Sequence, residues 1–129
     1  MGKRRFGVSI DSKISMEIDK IAKSLNMDRS KIVEMALQNY IVEYEHLSSR
    51  HNCKGILIVK NINNVPFDKI LEDYRNIIVN YIHSHVENEC ICAIFVSGNS
   101  EHINDLNRHL ITYGCLIRYL PMHKNYPLL

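Results

Sequence analysis

Residues 4–11 read RRFGVSID. Phe6, Val8 and Ile10 alternate with Arg5, Gly7 and Ser9, the period-two pattern of a strand with one apolar face. Its polar face is basic and small. A lone seven-residue strand cannot satisfy its own backbone groups, and the neighbouring sequence offers no second strand. The simplest partner is the same strand of a second chain, which predicts a homodimer closed by a two-stranded antiparallel ribbon.

Helical spacing follows at once. Ile14, Ile18, Ile21, Ala22 and Leu25 fall on one stripe, with Asp11 or Ser12 as the N-cap. Asn26 and Met27 interrupt it. Asp28 then caps a second helix with Ile32, Val33, Ala36, Leu37, Tyr40, Ile41 and Tyr44 on its apolar side. The first half is therefore strand, helix, helix. The polar stretch 45–55 reads as the end of that helix and a linker, giving domains of 1–50 and 51–129.

The second half carries a different rhythm. Gly55–Val59 is a buried-type strand, and Phe67–Val79 has helical spacing. Two strands follow near 80–87 and 89–96, ended by Ser97-Gly98-Asn99. Ser100 is placed to cap a helix bearing Ile103, Leu106, Leu110 and Ile111, with Gly114 at its C-terminal end and a last strand over Cys115–Leu120. The order is β-α-β-β-α-β, a ferredoxin-like pattern, and the fold class expected for the whole chain is α+β.

With 129 residues, 46% of them hydrophobic, the chain can build a packed core. No apolar run is long enough for a membrane span, and the start of the chain has no signal-peptide pattern. A cytoplasmic protein without a membrane partner is expected, with its cysteines as thiols or ligands. The net charge is +2, yet residues 1–31 carry eight Lys/Arg against four acids. A basic end on a near-neutral body suits a polyanion such as DNA.

A two-stranded ribbon fits the major groove. Its outward face would present Arg5, Gly7 and Ser9 from each chain. Arg5 can bond guanine through two N–H groups, Ser9 can reach a base edge, and Gly7 permits close approach. Backbone N–H groups near Arg29 and Ser30 could hold a phosphate, and Lys3, Arg4 and Lys31 would add phosphate attraction. A solvated edge strand is the plainer alternative.

Residues 82–92, IHSHVENECIC, hold a second constellation. Side chains two apart on a strand share a face. If Glu87-Asn88 is a two-residue turn, His85 lies opposite Cys90 and His83 opposite Cys92, placing all four on one face. That is an N₂S₂ ligand set suited to zinc if tetrahedral, and to nickel or copper(II) if square-planar. Buried cysteines and partnered histidines are the ordinary alternative, and Cys92 is the weakest of the four. The other His and Cys residues read as less informative. His46, His51 and Cys53 lie in or beside the linker, where solvated side chains or opportunistic metal binding are expected. His102 and His109 share a helix face at the surface, Cys115 belongs to the core, and His123 sits in a tail without pattern.

RRFGVSID followed by a helix and then MDRSKIVEMAL resembles the ribbon-helix-helix repressors, whose second helix often opens with Arg-Ser. HSHVENEC, FVSGN and YGCLIRYLP in a β-α-β-β-α-β half are similar to the nickel-responsive repressor family (NikR). The resemblance implies an ACT-type C-terminal domain, a homotetramer of two dimers, an operator in double-stranded DNA, and nickel as effector. It implies His83, His85 and Cys90 as ligands, with a fourth histidine from a neighbouring subunit. That histidine would fall near Glu72–Asn76, and 54–82 contains none. Cys92 could replace it, or Glu72, Asp73 or Tyr74 of a partner. Otherwise the site serves another metal, binds weakly or has been lost. The expected function is metal-responsive transcriptional regulation rather than enzymatic activity. Alternatives are a DNA-binding regulator that answers to a small organic effector or to nothing, and a metal storage module. No Gly-rich phosphate loop or nucleophile-base pair supports an enzyme.

Overall fold

A computed structural model describes residues 2–45 and 48–123. The fold is α+β, with four helices and a four-stranded antiparallel sheet. It divides into two compact units, Met1–Asn39 and Tyr40–Leu129. His46 lies outside the described residues.

In the first unit, residues 2–11 form no ladder. Phe6 is 75% and Val8 70% exposed, and Ile10 is exposed too. The apolar face expected to be buried is thus bare, and no strand among the described residues covers it. Helix α1 spans Ser12–Leu25, and Asp11 is its N-cap, accepting the Lys13 N–H at 2.8 Å. Asn26 ends it in the left-handed region at φ 52°, a conformation that asparagine tolerates better than most residues. Helix α2 spans Arg29–Tyr44, and the Asp28 carbonyl accepts from Lys31 and Ile32. Both apolar stripes are largely uncovered. Of the described hydrophobic residues up to Asn39, Ala22 alone is buried, while Ile14, Ile21, Leu25 and Leu37 are exposed. One irregular segment and two helices do not have enough surface to bury these faces among themselves.

The second unit runs β1 (Asn52–Lys60), α3 (Phe67–Asp73), β2 (Ile78–Val86), β3 (Glu89–Asn99), α4 (Ser100–Thr112) and β4 (Leu116–Pro121). The strand order is β2-β3-β1-β4, with every neighbouring pair antiparallel. Along β1, Cys53, Gly55, Leu57 and Val59 alternate with more open residues. Cys92, Ile94 and Val96 do so along β3. These faces meet Ile70 of α3 and Ile103, Leu106 and Leu110 of α4 in one core. Full burial of each large aliphatic side chain contributes about 1.5–3 kcal/mol.

Several boundaries differ from the sequence reading. The helix expected over Phe67–Val79 stops at Asp73. The Tyr74 carbonyl accepts from both Ile77 and Ile78, closing a turn that launches β2; the β-branched Ile78 and Val79 favour the strand. Asn99, not Ser100, caps α4 by accepting the Glu101 N–H at 2.8 Å. Ser100 is fully buried instead. Ile111 faces out. The supposed linker is shorter, because β1 already begins at Asn52.

Candidate metal centre

The β2–β3 hairpin turns through Glu87 and Asn88, at φ 50° and 67°. Positive φ at both central residues is the type I′ geometry whose twist matches that of paired strands. It sets the register Val86↔Glu89, His85↔Cys90, Ser84↔Ile91 and His83↔Cys92, the pairing expected from a two-residue turn. His83 and His85 therefore share a face, and their ring centroids lie 5.2 Å apart. The His83 Nε2 contacts the Cys90 Sγ diagonally across the ladder. One donor atom from each of His83, His85 and Cys90 lies within 4.8 Å of the other two. The histidines are exposed and Cys90 is half-buried. Phe67, at the start of α3, is 5.1 Å from Tyr81 and 6.5 Å from His83, centroid to centroid. Both contacts are edge-on.

Cys92 shares the face of Cys90 yet does not join the group. It is 0% exposed and belongs to the core, flanked by Val59 on β1. Burial, with a smaller contribution from Cys90, pushes its thiol up to about 11. The face is open at the hairpin tip and packed two residues further in. Two imidazoles and one accessible thiol fit a borderline divalent ion.

The segment marked for the missing histidine closes α3 and its following turn. There the Tyr74 hydroxyl meets His109 Nδ1 at 3.2 Å, and Asn76 Nδ2 meets His102 Nδ1 at 3.0 Å. Both histidines, expected at the surface, are half-buried and tie α4 to this turn.

The sequence-predicted DNA contacts are all on exposed backbone. Lys3, Arg4, Arg5, Gly7 and Ser9 lie in the segment before α1, which forms no regular element, and Arg29, Ser30 and Lys31 open α2. Lys3 stands 4.0 Å from Glu34, and Arg29 pairs with Asp19 at 3.2 Å. Such exposed pairs contribute less than about 1 kcal/mol and can yield to a phosphate.

A second donor group lies elsewhere: His51, Cys53 and His123, again within 4.8 Å of one another. Sequence reasoning left His123 unassigned. No local signal in the sequence marks it; the β1–β4 register does, since Gly55 pairs with Pro121 and two residues outward Cys53 meets position 123. Burial pushes the Cys53 thiol above its ordinary value; the Tyr119 hydrogen bond opposes the rise, and the Glu45 charge adds to it.

No helix among the described residues is long and apolar enough to cross a membrane. No protein-family model matches the chain. It is similar to the "Putative nickel-responsive regulator" of Saccharolobus islandicus (strain L.S.2.15 / Lassen #1), with 31% identity over 121 residues covering 85% of each chain. The protein of the same name from Saccharolobus solfataricus gives the same values. Another from Caldanaerobacter subterraneus subsp. tengcongensis is 28% identical over 116 residues, covering 84% of this chain and 75% of its own. With the hairpin cluster and this likeness along most of its length, the chain belongs to the nickel-responsive regulator family.

Proposed function

We propose that this protein is a nickel-responsive, DNA-binding transcriptional regulator whose effector site is His83, His85 and Cys90. The carrying observation is the hairpin register, which focuses two imidazoles and a thiol in a chain related to proteins named as nickel-responsive regulators. Zinc or copper could occupy the same donors, and nickel is favoured by the relatives' name.

In this reading residues 1–50 form a ribbon-helix-helix domain. Two chains pair through residues 4–10, covering Phe6, Val8 and Ile10 and turning Arg5, Gly7 and Ser9 toward the major groove. The bare stripes of α1 and α2 support this, since a second copy offers the same apolar faces in return. Residues 51–129 form an ACT-type domain that joins two dimers into a tetramer. The exposed edge strand β2, with Val79, Tyr81, Ile82 and Val86 uncovered, supports that contact. The fourth metal donor comes from a neighbouring chain or solvent, because Cys92 is enclosed in the core.

A divalent ion held here would replace the thiol proton and fix three side chains of one hairpin. If it also draws a donor from a second chain, metal binding and assembly share a coupling free energy, typically about 1–3 kcal/mol. The test is DNA affinity at fixed salt, using duplexes selected from genomic fragments, with and without nickel. Tighter binding with nickel, lost in His85→Ala, is expected. Unchanged affinity with nickel, zinc and copper overturns the switch.

A further inference from the structure

His51, Cys53 and His123 come from two places far apart in the chain, and the fold pins both. The His51 backbone is held by Ser100 at the start of α4: its N–H donates to Ser100 Oγ at 3.1 Å, and its carbonyl accepts the Ser100 N–H at 2.8 Å. Ser100 is fully buried, so the clamp sits in the core. At the other end the Met122 N–H donates to the Lys54 carbonyl at 2.7 Å. This carries the β1–β4 ladder one step past Pro121 and sets His123 beside Cys53. His123 Nδ1 lies 3.1 Å from Cys53 Sγ, and the His51 and His123 ring centroids are 5.0 Å apart.

The surroundings orient these donors. His51 Nδ1 is 2.9 Å from the Ser49 carbonyl. A carbonyl only accepts, so Nδ1 carries the proton and Nε2 is the basic nitrogen, as in histidines that ligate metals. The Tyr119 hydroxyl lies 3.0 Å from Cys53 Sγ, where it can donate to a thiolate. Tyr119 reaches that atom by crossing over Gly55, where any Cβ would collide with the Tyr119 ring and the Leu120 carbonyl. Glycine at 55 is thus part of the cluster's construction.

We propose that His51, Cys53 and His123 form a second metal site, distinct from the hairpin cluster, that takes a borderline divalent cation of the zinc class. One thiolate and two imidazoles match zinc chemistry, with a solvent molecule as fourth ligand. Tetrahedral ligation places donors about 3.3–3.8 Å apart, so small side-chain rotations within the present 4.8 Å limit close the site. Cys53 pairs with Gly98, whereas Cys90 is at the other end of β3. Eight residues at about 3.3 Å each separate the two clusters by roughly 26 Å, so one ion cannot serve both. An ion here would bind the entry of β1 to the exit of β4 and staple the second unit closed.

The test uses the 129-residue chain, stripped of metal, with the hairpin silenced by His83→Ala and Cys90→Ala. Cobalt(II) is titrated as a coloured zinc surrogate. One equivalent per chain with a thiolate-to-cobalt absorption, displaced by zinc, is expected. Adding Cys53→Ala should abolish that absorption. Because Cys53 is in the core, His123→Ala is the second arm: it should weaken binding by more than about tenfold with unchanged circular dichroism. A folded, hairpin-silenced chain with no thiolate-cobalt absorption overturns the site, as does an absorption that persists undiminished in a folded His123→Ala variant.

Discussion

His85 and Cys90 are partners in the β2–β3 ladder with only the Glu87–Asn88 turn and its flanking Val86↔Glu89 pair beyond them. This places the candidate nickel donors at the tip of a hairpin, where the sheet face is open. One pair further in, His83 faces Cys92, and the thiol there belongs to the core.

The two hairpin cysteines should therefore respond differently to mutation. Cys90→Ala is expected to abolish thiolate-to-nickel charge-transfer absorption. Cys92→Ala should leave that absorption in place and instead lower folding stability by about 1 kcal/mol, the scale of deleting one buried methyl-sized group. Nickel titration and urea denaturation of the same two variants check both halves.

Thiol chemistry should show the same division. Cys90 is half-exposed, whereas Cys53, Cys92 and Cys115 are buried, and burial pushes all three of those thiols up. Iodoacetamide should label Cys90 first, and nickel should slow that labelling. Peptide mapping by mass spectrometry reads the order directly.

Gly55→Ala should be a costly single-methyl change. The added carbon meets the Leu120 carbonyl and the Tyr119 ring. Relief requires the β1–β4 pair to part or Tyr119 to leave Cys53. A loss of about 1–3 kcal/mol is expected, measured by chemical denaturation.

The turn itself can be improved. Glu87 is held at φ 50°, where its Cβ crowds the backbone carbonyl and its side chain lacks the local hydrogen bond that eases asparagine there. Glu87→Asn together with Asn88→Gly restores the favoured type I′ pair and should raise stability by roughly 0.5–1 kcal/mol. Thermal melting with unchanged nickel binding is the expected outcome.

Arg5→Ala should weaken specific DNA binding by about 1–3 kcal/mol, whereas Lys3→Ala should weaken binding to all sequences and lower the salt slope by about one. Fluorescence anisotropy across a salt series separates the two. Phe6→Asp should instead prevent the proposed pairing of two chains, read by sedimentation.

Local pattern made much of this protein legible. Whereas the strand expected from the alternation at Phe6, Val8 and Ile10 is not formed among the described residues, the Ile and Leu spacing marked both helices of the first unit, and a two-residue turn sufficed to set the hairpin register. These are short-range consequences of backbone geometry. Tertiary packing decided what periodicity could not. It cut α3 short at Asp73, because the Tyr74 turn competes with the helix for the same backbone groups. It divided Cys90 from Cys92, since burial depends on which part of a sheet face the helices cover. And it brought His123 to His51 and Cys53 across some seventy residues of chain, through a strand pairing that no local pattern encodes.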